Sequence, residues 1–272
     1  MTGPNPTRRL RLARLGRQVR YQLPAIVVFV GVLIAWEIVV TALNLRQFIL
    51  PRPSAIGAAL VSEWDTLQRA AGNTLYEALG GLVIGVTAGV STAFAVTRWA
   101  RVREAVIPIA IGASAVPIIA AAPIMSIWFG ILNPFAKMAI VILLVFFPML
   151  VNVVRGLSEV SASAIELMHA SAASQTQILR KVRIPNALPF FFTGLKVSTT
   201  LSFIGAIVAE YFGGSSDVLG RVIVQSSSRL RFDITWAAIT VASVAGVTLY
   251  LLVVAIERVV IPWHASQRAT DG

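Results

Sequence analysis

The sequence predicts an all-α integral membrane protein of about six transmembrane helices, and three observations carry that prediction. Of its 272 residues, 57% are hydrophobic and only 13% are charged, too few charges to cover a soluble surface of this size. The mean hydropathy is +0.79. The apolar residues gather in runs of about twenty, the length at which a helix crosses the hydrocarbon core of a bilayer.

Composition also excludes several classes. A net charge of +11 would suggest nucleic acid in a soluble protein. Here the basic residues sit in short clusters at the ends of apolar runs, the pattern that sets membrane topology, so the lipid bilayer is the expected partner and nucleic acid is not. The chain has no cysteine, which removes disulfides, thiolate nucleophiles and cysteine metal sites. His169 and His264 both lie outside the apolar runs and cannot form a multi-histidine centre, so no metal site, cofactor or catalytic residue is expected.

Taken in order, the runs predict spans at 23–44, 76–97, 106–130, 136–154, 189–212 and 235–261. The first follows an arginine-rich stretch, Arg8 to Arg20, as a signal peptide would. Its length and its exit through Asn44 and Leu45, without a small-x-small cleavage site, make it a retained span. Residues 1–22 form a basic N-terminal segment, 23–261 a single transmembrane domain and 262–272 a tail. With the N-terminus in the cytoplasm, sixteen of the 23 lysines and arginines fall inside and seven outside, which places both termini in the cytoplasm.

After the first span, Pro51-Arg52-Pro53-Ser54 opens an outer segment. Ser54 is placed to cap a short helix carrying Ile56, Leu60, Val61 and Trp64 along one side, suited to the membrane surface. Span two carries Gly81, Gly85 and Gly89, a ridge that lets another helix approach closely; packing within one chain is favoured over a dimer contact. Span three holds Pro108, Pro117 and Pro123. Each interior proline removes a backbone hydrogen bond and bends the helix, and the freed carbonyls are tolerated only beside protein or water. That makes a bent helix with Ser114 and Ser126 a candidate to line a solute path. The turn Gly130 to Pro134 (GILNP) closes a tight hairpin between spans three and four.

Between spans four and five, residues 155–188 form the longest cytoplasmic segment. Ser163 with Glu166 fits one capping box and Ser174 with Gln177 a second, so two short helices meet at Ala172-Ala173, the second stopping before Pro185. Leu167 and Met168 are apolar residues in an aqueous loop. They either fold back onto the membrane helices or receive a partner, and Glu166 is either a cap or part of that contact.

Span five brings Ser198, Thr199 and Ser202 into the apolar region, with Lys196 and Thr200 alongside. Their hydroxyls either face a solute or bond to their own helix backbone. Three acids lie in or beside spans: Glu37 within the first, Glu77 at the outer start of the second, read as interfacial, and Glu210 in the outer part of the fifth. Glu210 is either a gate at the outer mouth or a salt-bridge partner of Arg221 or another outer arginine, the second reading being favoured. An acid at mid-bilayer must face protein or water.

The 155–188 segment resembles the "EAA" loop of ABC importer permeases, in which an acid is followed six positions later by a glycine, then a small residue, then a proline about a dozen residues on. Glu166, Ala172, Ala173 and Pro185 occupy those places, Glu166-Leu167-Met168 replacing Glu-Ala-Ala and Ala172 the glycine. Leu50-Pro51-Arg52-Pro53-Ser54, Asn73-Thr74-Leu75, Ala209-Glu210 and Val218-Leu219-Gly220 are similar to the nitrate/sulfonate/taurine branch, which also serves pyrimidine precursors and riboflavin. The resemblance implies a type I importer permease fold in a bacterial inner membrane. It implies a coupling helix at Glu166, Leu167 and Met168 that docks on a cytoplasmic ATPase. It further implies two permease copies, two ATPase subunits and an extracytoplasmic substrate-binding protein, with transport by alternating access.

Alanine resists a left-handed turn, so at Ala172 the turn is expected to be right-handed or strained. The chain itself has no G-x-x-x-x-G-K-[ST] phosphate loop. An ion-coupled secondary transporter is the alternative class; it needs midplane charges, and only Glu37 and Glu210 approach that. No filter loop or charged ring marks a channel, and no paired aspartates or Ser/His set marks an intramembrane enzyme.

Overall fold

The computed structural model describes residues 6–114 and 116–262, with side chains from Leu23 onward apart from Ile119. The start of the basic segment and most of the tail, with His264 and Arg268, lie outside the described residues.

Helices account for nearly all of the described chain. Helix α1 covers Pro6–Ala42, α2 Pro53–Ser62, α3 Trp64–Thr97, α4 Ala100–Ser114, α5 Ala122–Phe129 and α6 Pro134–Ser158. They are followed by α7 Ala162–Ala170, α8 Gln175–Ile178, α9 Ile184–Tyr211, α10 Leu219–Ser228 and α11 Phe232–Val260. Five helical stretches are long and apolar enough to cross a membrane: Leu23–Ala42, Trp64–Thr97, Pro134–Ser158, Gln175–Tyr211 and Phe232–Val260.

The expected third span is corrected. In place of one bent helix over 106–130, α4 ends at Ser114 and a 3₁₀ turn, Ile118–Ala121, leads into α5. Pro117 stands at the break, where it removes a donor and holds the residue before it out of the α region. Pro108 is carried inside α4, and Pro123 sits in the first turn of α5, where a missing N–H costs least.

The core is built on α6. Half of its apolar window is buried inside the chain, against 6% for α1 and 11% for α11. The two outer helices therefore present their apolar surface to lipid or to another chain. The glycine ridge of α3 explains how α6 comes so close. A Cβ on Gly81 would lie 2.4 Å from the Cβ of Val141, one on Gly85 3.0 Å from that of Val145, and one on Gly89 2.9 Å from that of Met149. The ridge packs within the chain. Below it, a Cβ on Gly156 of α6 would meet the Cα of Ala187 of α9 at 2.7 Å. An ion pair joins α9 to α11, with Lys196 Nζ 2.9 Å and 3.1 Å from the two carboxylate oxygens of Glu257.

Helix α2 differs from expectation in its cap. Ser54 does not cap; its N–H and hydroxyl both donate to the carboxylate of Glu37 on α1, at 3.0 and 2.8 Å. Glu37 thus satisfies the start of α2 from a neighbouring helix. Along the apolar side read from the sequence, Ile56 is buried and Leu60 half-buried, whereas Val61 and Trp64 are 81% and 52% exposed. The GILNP turn is a tight connection: Gly130 takes φ +95°, and the side chain of Asn133 accepts from Phe135 N at 3.0 Å to cap α6.

Candidate functional site

The candidate residues gather mainly at the two ends of one rod. Helix α8 does not stop before Pro185. It passes through a π turn, Leu179–Arg183, directly into α9, so that Gln175 to Tyr211 is one helical stretch of 37 residues. A π turn shifts the hydrogen-bond register by one residue, which relieves the loss of the proline N–H in the turn that follows.

At one end is the loop. Its two feet are held together by Asn186 of α9, whose amide donates to Gly156 O at 2.8 Å and Glu159 O at 3.1 Å, carbonyls at the end of α6. On this base stands α7, none of whose residues is buried. Its cap is Ser161, two residues earlier than predicted: Ser161 Oγ accepts from Ala164 N at 3.4 Å. Glu166 therefore does not close a box, and its exposed carboxylate has no hydrogen-bond or ion-pair partner among the described residues. Leu167 is 68% exposed beside it, and Met168 is half-buried. The second capping box forms as read: Ser174 N donates to Gln177 Oε1 at 2.7 Å and Gln177 N to Ser174 Oγ at 3.3 Å.

The turn between α7 and α8 is left-handed. Ala172 has φ +53°, Ala173 N donates to Met168 O at 3.0 Å and Ala172 N to His169 O at 2.9 Å. This is a helix end that ordinarily takes glycine. An alanine in that conformation costs about 1–2 kcal/mol, so Ala172→Gly should steady the loop. Hydrogen exchange at the amides of 171–173 is expected to slow about fivefold, with transport retained.

At the other end is a buried polar centre, where three of the sequence segments singled out above converge. Helix α10 begins with two orphan N–H groups. Leu219 N donates to Thr74 Oγ1 of α3 at 3.0 Å, and Gly220 N to Glu210 Oε2 of α9 at 2.6 Å. A carboxylate at a helix N-terminus is favoured by the peptide dipoles. Only glycine fits at 220, because a Cβ there would lie 2.5 Å from Ile207 O and 2.7 Å from Glu210 Cβ. Asn73 Nδ2 adds a bond to Asp217 O at 2.7 Å.

Two expectations are corrected at this centre. Glu77, read as interfacial, is buried at 4% exposure, with a carboxylate oxygen that has no hydrogen-bond partner among the described residues. Glu210 is wholly buried and does not pair with Arg221; its partner is the backbone of Gly220. Lys137 is also buried, donating to Ile131 O at 2.6 Å and to Asn133 O at 3.4 Å. Sequence reading missed Glu77 and Lys137 as interior residues. For Glu77 the available signal was its place well inside a helix, whereas Lys137 stands in the first turn of α6 and offered none.

The remaining path candidates fall in two groups. Ser114, Pro117 and Pro123 are exposed along the broken α4–α5 segment, with Ser126 buried behind them. Ser198, Thr199 and Ser202 are buried inside the bundle. Thr199 and Ser202 donate within α9, to Leu195 O at 2.7 Å and Thr199 O at 2.9 Å, and Ser198 reaches Val145 O of α6 at 3.5 Å. Thr199 and Ser202 thus bond to their own helix backbone, and Ser198 to that of a neighbouring helix.

The model of the family described as "Binding-protein-dependent transport system inner membrane component" matches residues 81–263. A probable ABC transporter permease protein of Haemophilus influenzae is 29% identical over 86% of this chain and 94% of its own length. The formylaminopyrimidine transport permease protein ThiX of Halalkalibacterium halodurans is 28% identical over 88% and 95%. The taurine transport system permease protein TauC of Escherichia coli is 26% identical over 92% of each. Match and fold agree over the central helices and the loop between α6 and α9, and the chain belongs to the binding-protein-dependent transport inner-membrane family, as a multi-pass permease of an ABC importer.

Proposed function

We propose that α7 is the docking element for a separate ATPase subunit, and that nucleotide-driven movement of α7 is carried by the α8–α9 rod to the outer polar centre. The observation that supports this most directly is the chemistry of α7. It presents an exposed leucine beside an unpartnered carboxylate, on a loop clamped by Asn186 to the feet of two spanning helices. An exposed apolar residue on a rigid base is the arrangement that receives a partner. Ala172, Ala173 and Pro185 set the angle at which α7 leaves the rod.

In this reading the path runs along the broken α4–α5 segment, with Ser114, Pro117 and Pro123 facing it and Ser126, Ser198, Thr199, Ser202 and Glu210 forming the packed wall behind. The solute is a small organic molecule or anion, the class named for the formylaminopyrimidine and taurine relatives. It is delivered by an extracytoplasmic binding protein to a pair of permease chains served by two ATPases. The transmembrane unit spans 23–261, with both termini and α7 in the cytoplasm.

The test is retention of candidate ATPase subunits by the purified full chain, native against Glu166→Lys. The native chain is expected to hold an ATPase through purification. The variant is expected to bind at least about tenfold more weakly with an unchanged melting temperature, because the Glu166 side chain is exposed and without a partner among the described residues. If no ATPase is retained, or the variant retains it equally, α7 is not the docking element. Orientation is read separately: the chain has no cysteine, so Ser163→Cys in sealed vesicles is labelled from the cytoplasmic side only.

A further inference from the structure

The cytoplasmic ends of three spanning elements enclose a cavity of about 290 Å³. Its walls come from the end of α3, the start of α4, the end of α6 and the first turns of the α8–α9 rod. Three arginines line it, Arg98, Arg103 and Arg183, facing an apolar wall of Phe94, Leu157 and Leu179. Arg103 and Arg183 are half-buried and Arg98 is exposed. None of the three closes an ion pair among the described residues, and the acids nearest in sequence, Glu104 and Glu159, are exposed. Arg103 reaches only the hydroxyl of Ser158, at 3.5 Å.

Three positive charges on the lining of one cavity, with no acid among its lining residues to offset them, favour an anion there. Guanidinium matches phosphate in geometry as well as charge. We propose that this cavity binds a phosphate group, supplied by the headgroup of an anionic phospholipid in the cytoplasmic leaflet.

Two features favour a lipid over a free phosphate. The cavity is half apolar in construction, with Leu157 fully buried and Phe94 40% exposed, so glycerol and the first acyl carbons have a surface to cover. Trp99, 60% exposed, stands in the same turn as Arg98, and exposed tryptophan at a span end marks the headgroup level. Naming the leaflet rests on the orientation proposed above; binding itself does not.

The experiment uses the purified full chain in detergent, read by thermal melting and by native mass spectrometry. The probes are phosphatidylglycerol, phosphatidylcholine, glycerol 3-phosphate and inorganic phosphate. Phosphatidylglycerol is expected to raise the melting temperature and remain bound, with an affinity reduced about tenfold or more in the double variant Arg98→Gln/Arg183→Gln. The double variant to lysine should recover part of it, which separates lost charge from lost folding. Equal protection by glycerol 3-phosphate or inorganic phosphate would establish a phosphate site and overturn the lipid source. Equal protection by phosphatidylcholine, or an unaltered glutamine variant, overturns the proposal. Because the readout is made in detergent, its failure is distinct from a failure of orientation, which the Ser163→Cys labelling reports.

Discussion

Gly81→Leu is expected to keep the chain from reaching its folded state in the membrane, while Gly72→Ala leaves it intact. The reason lies in what drives helices together in lipid. Apolar tails are as hydrophobic as leucine, so association depends on close packing of backbones rather than on removal from water. At Gly81 even a Cβ would lie 2.4 Å from the Cβ of Val141. That atom is rooted in the α6 backbone and cannot swing aside, so α3 and α6 must separate, at a cost of about 3 kcal/mol or more. The contact is central, since α6 has the largest buried share of the five spanning stretches. Gly72, on the same helix, has nothing within 4 Å of its would-be Cβ, and alanine there should gain up to about 1 kcal/mol of helix propensity. Detergent melting and the yield of monodisperse protein check both variants. A well-folded Gly81→Leu chain would show that the α3–α6 contact is not what holds the bundle.

Gly220→Ala and Glu210→Ala are expected to release α10 from the outer end of the bundle, by opposite means. The first inserts an atom where Ile207 O and the Glu210 side chain already stand. The second removes the acceptor of Gly220 N and leaves a buried N–H unpaired, worth about 1–3 kcal/mol. Glu210→Gln keeps an oxygen in that place and should lose less. The ordering native, Glu210→Gln, Glu210→Ala is the informative outcome. It would appear as rising proteolysis of the 212–219 segment and falling solute uptake by the assembled transporter. If glutamine and alanine behave alike, the hydrogen bond to Gly220 is not what fixes α10.

How much of this could be read beforehand follows from what periodicity and length report. Five apolar runs each have a spanning stretch at their place, because a run long enough to cross the bilayer has one reading. Two stretches start well before the run does, at Trp64 rather than 76 and at Gln175 rather than 189. The third run has no such stretch among the described residues. Pro108, Pro117 and Pro123 signalled disturbance, but each of the three has a different consequence: one is tolerated inside α4, one breaks the chain and one starts α5. Only local geometry separates these cases. The loop was located by its small residues and proline, whereas its cap lay at Ser161 rather than Ser163. Both serines satisfy the same local rule, and packing of the feet decided between them.

The polar centre was the least readable part. Glu77 and Lys137 look like charges near a membrane surface, and their burial depends on helix rotation set by contacts far away in sequence. Ser54 and Glu37 show the same thing. A serine with the right spacing to cap its own helix gives its hydroxyl and N–H to a carboxylate seventeen residues earlier, a pairing that exists only once α1 and α2 meet.

The π turn at Leu179–Arg183 has a consequence for how this chain can vary. Such a turn holds one residue more than an α-helix needs for the same advance. Deleting a single residue there would restore ordinary helix and rotate everything beyond it by about 100°, one residue's share of a turn. With Gln175 to Tyr211 a continuous stretch, that rotation would carry Glu210 away from Gly220 while α7 stayed in place. Substitutions along the stretch are local events, whereas a change in its residue count re-aims one end against the other. Insertions and deletions between Gln175 and Tyr211 are therefore expected to cost the contact between Glu210 and Gly220.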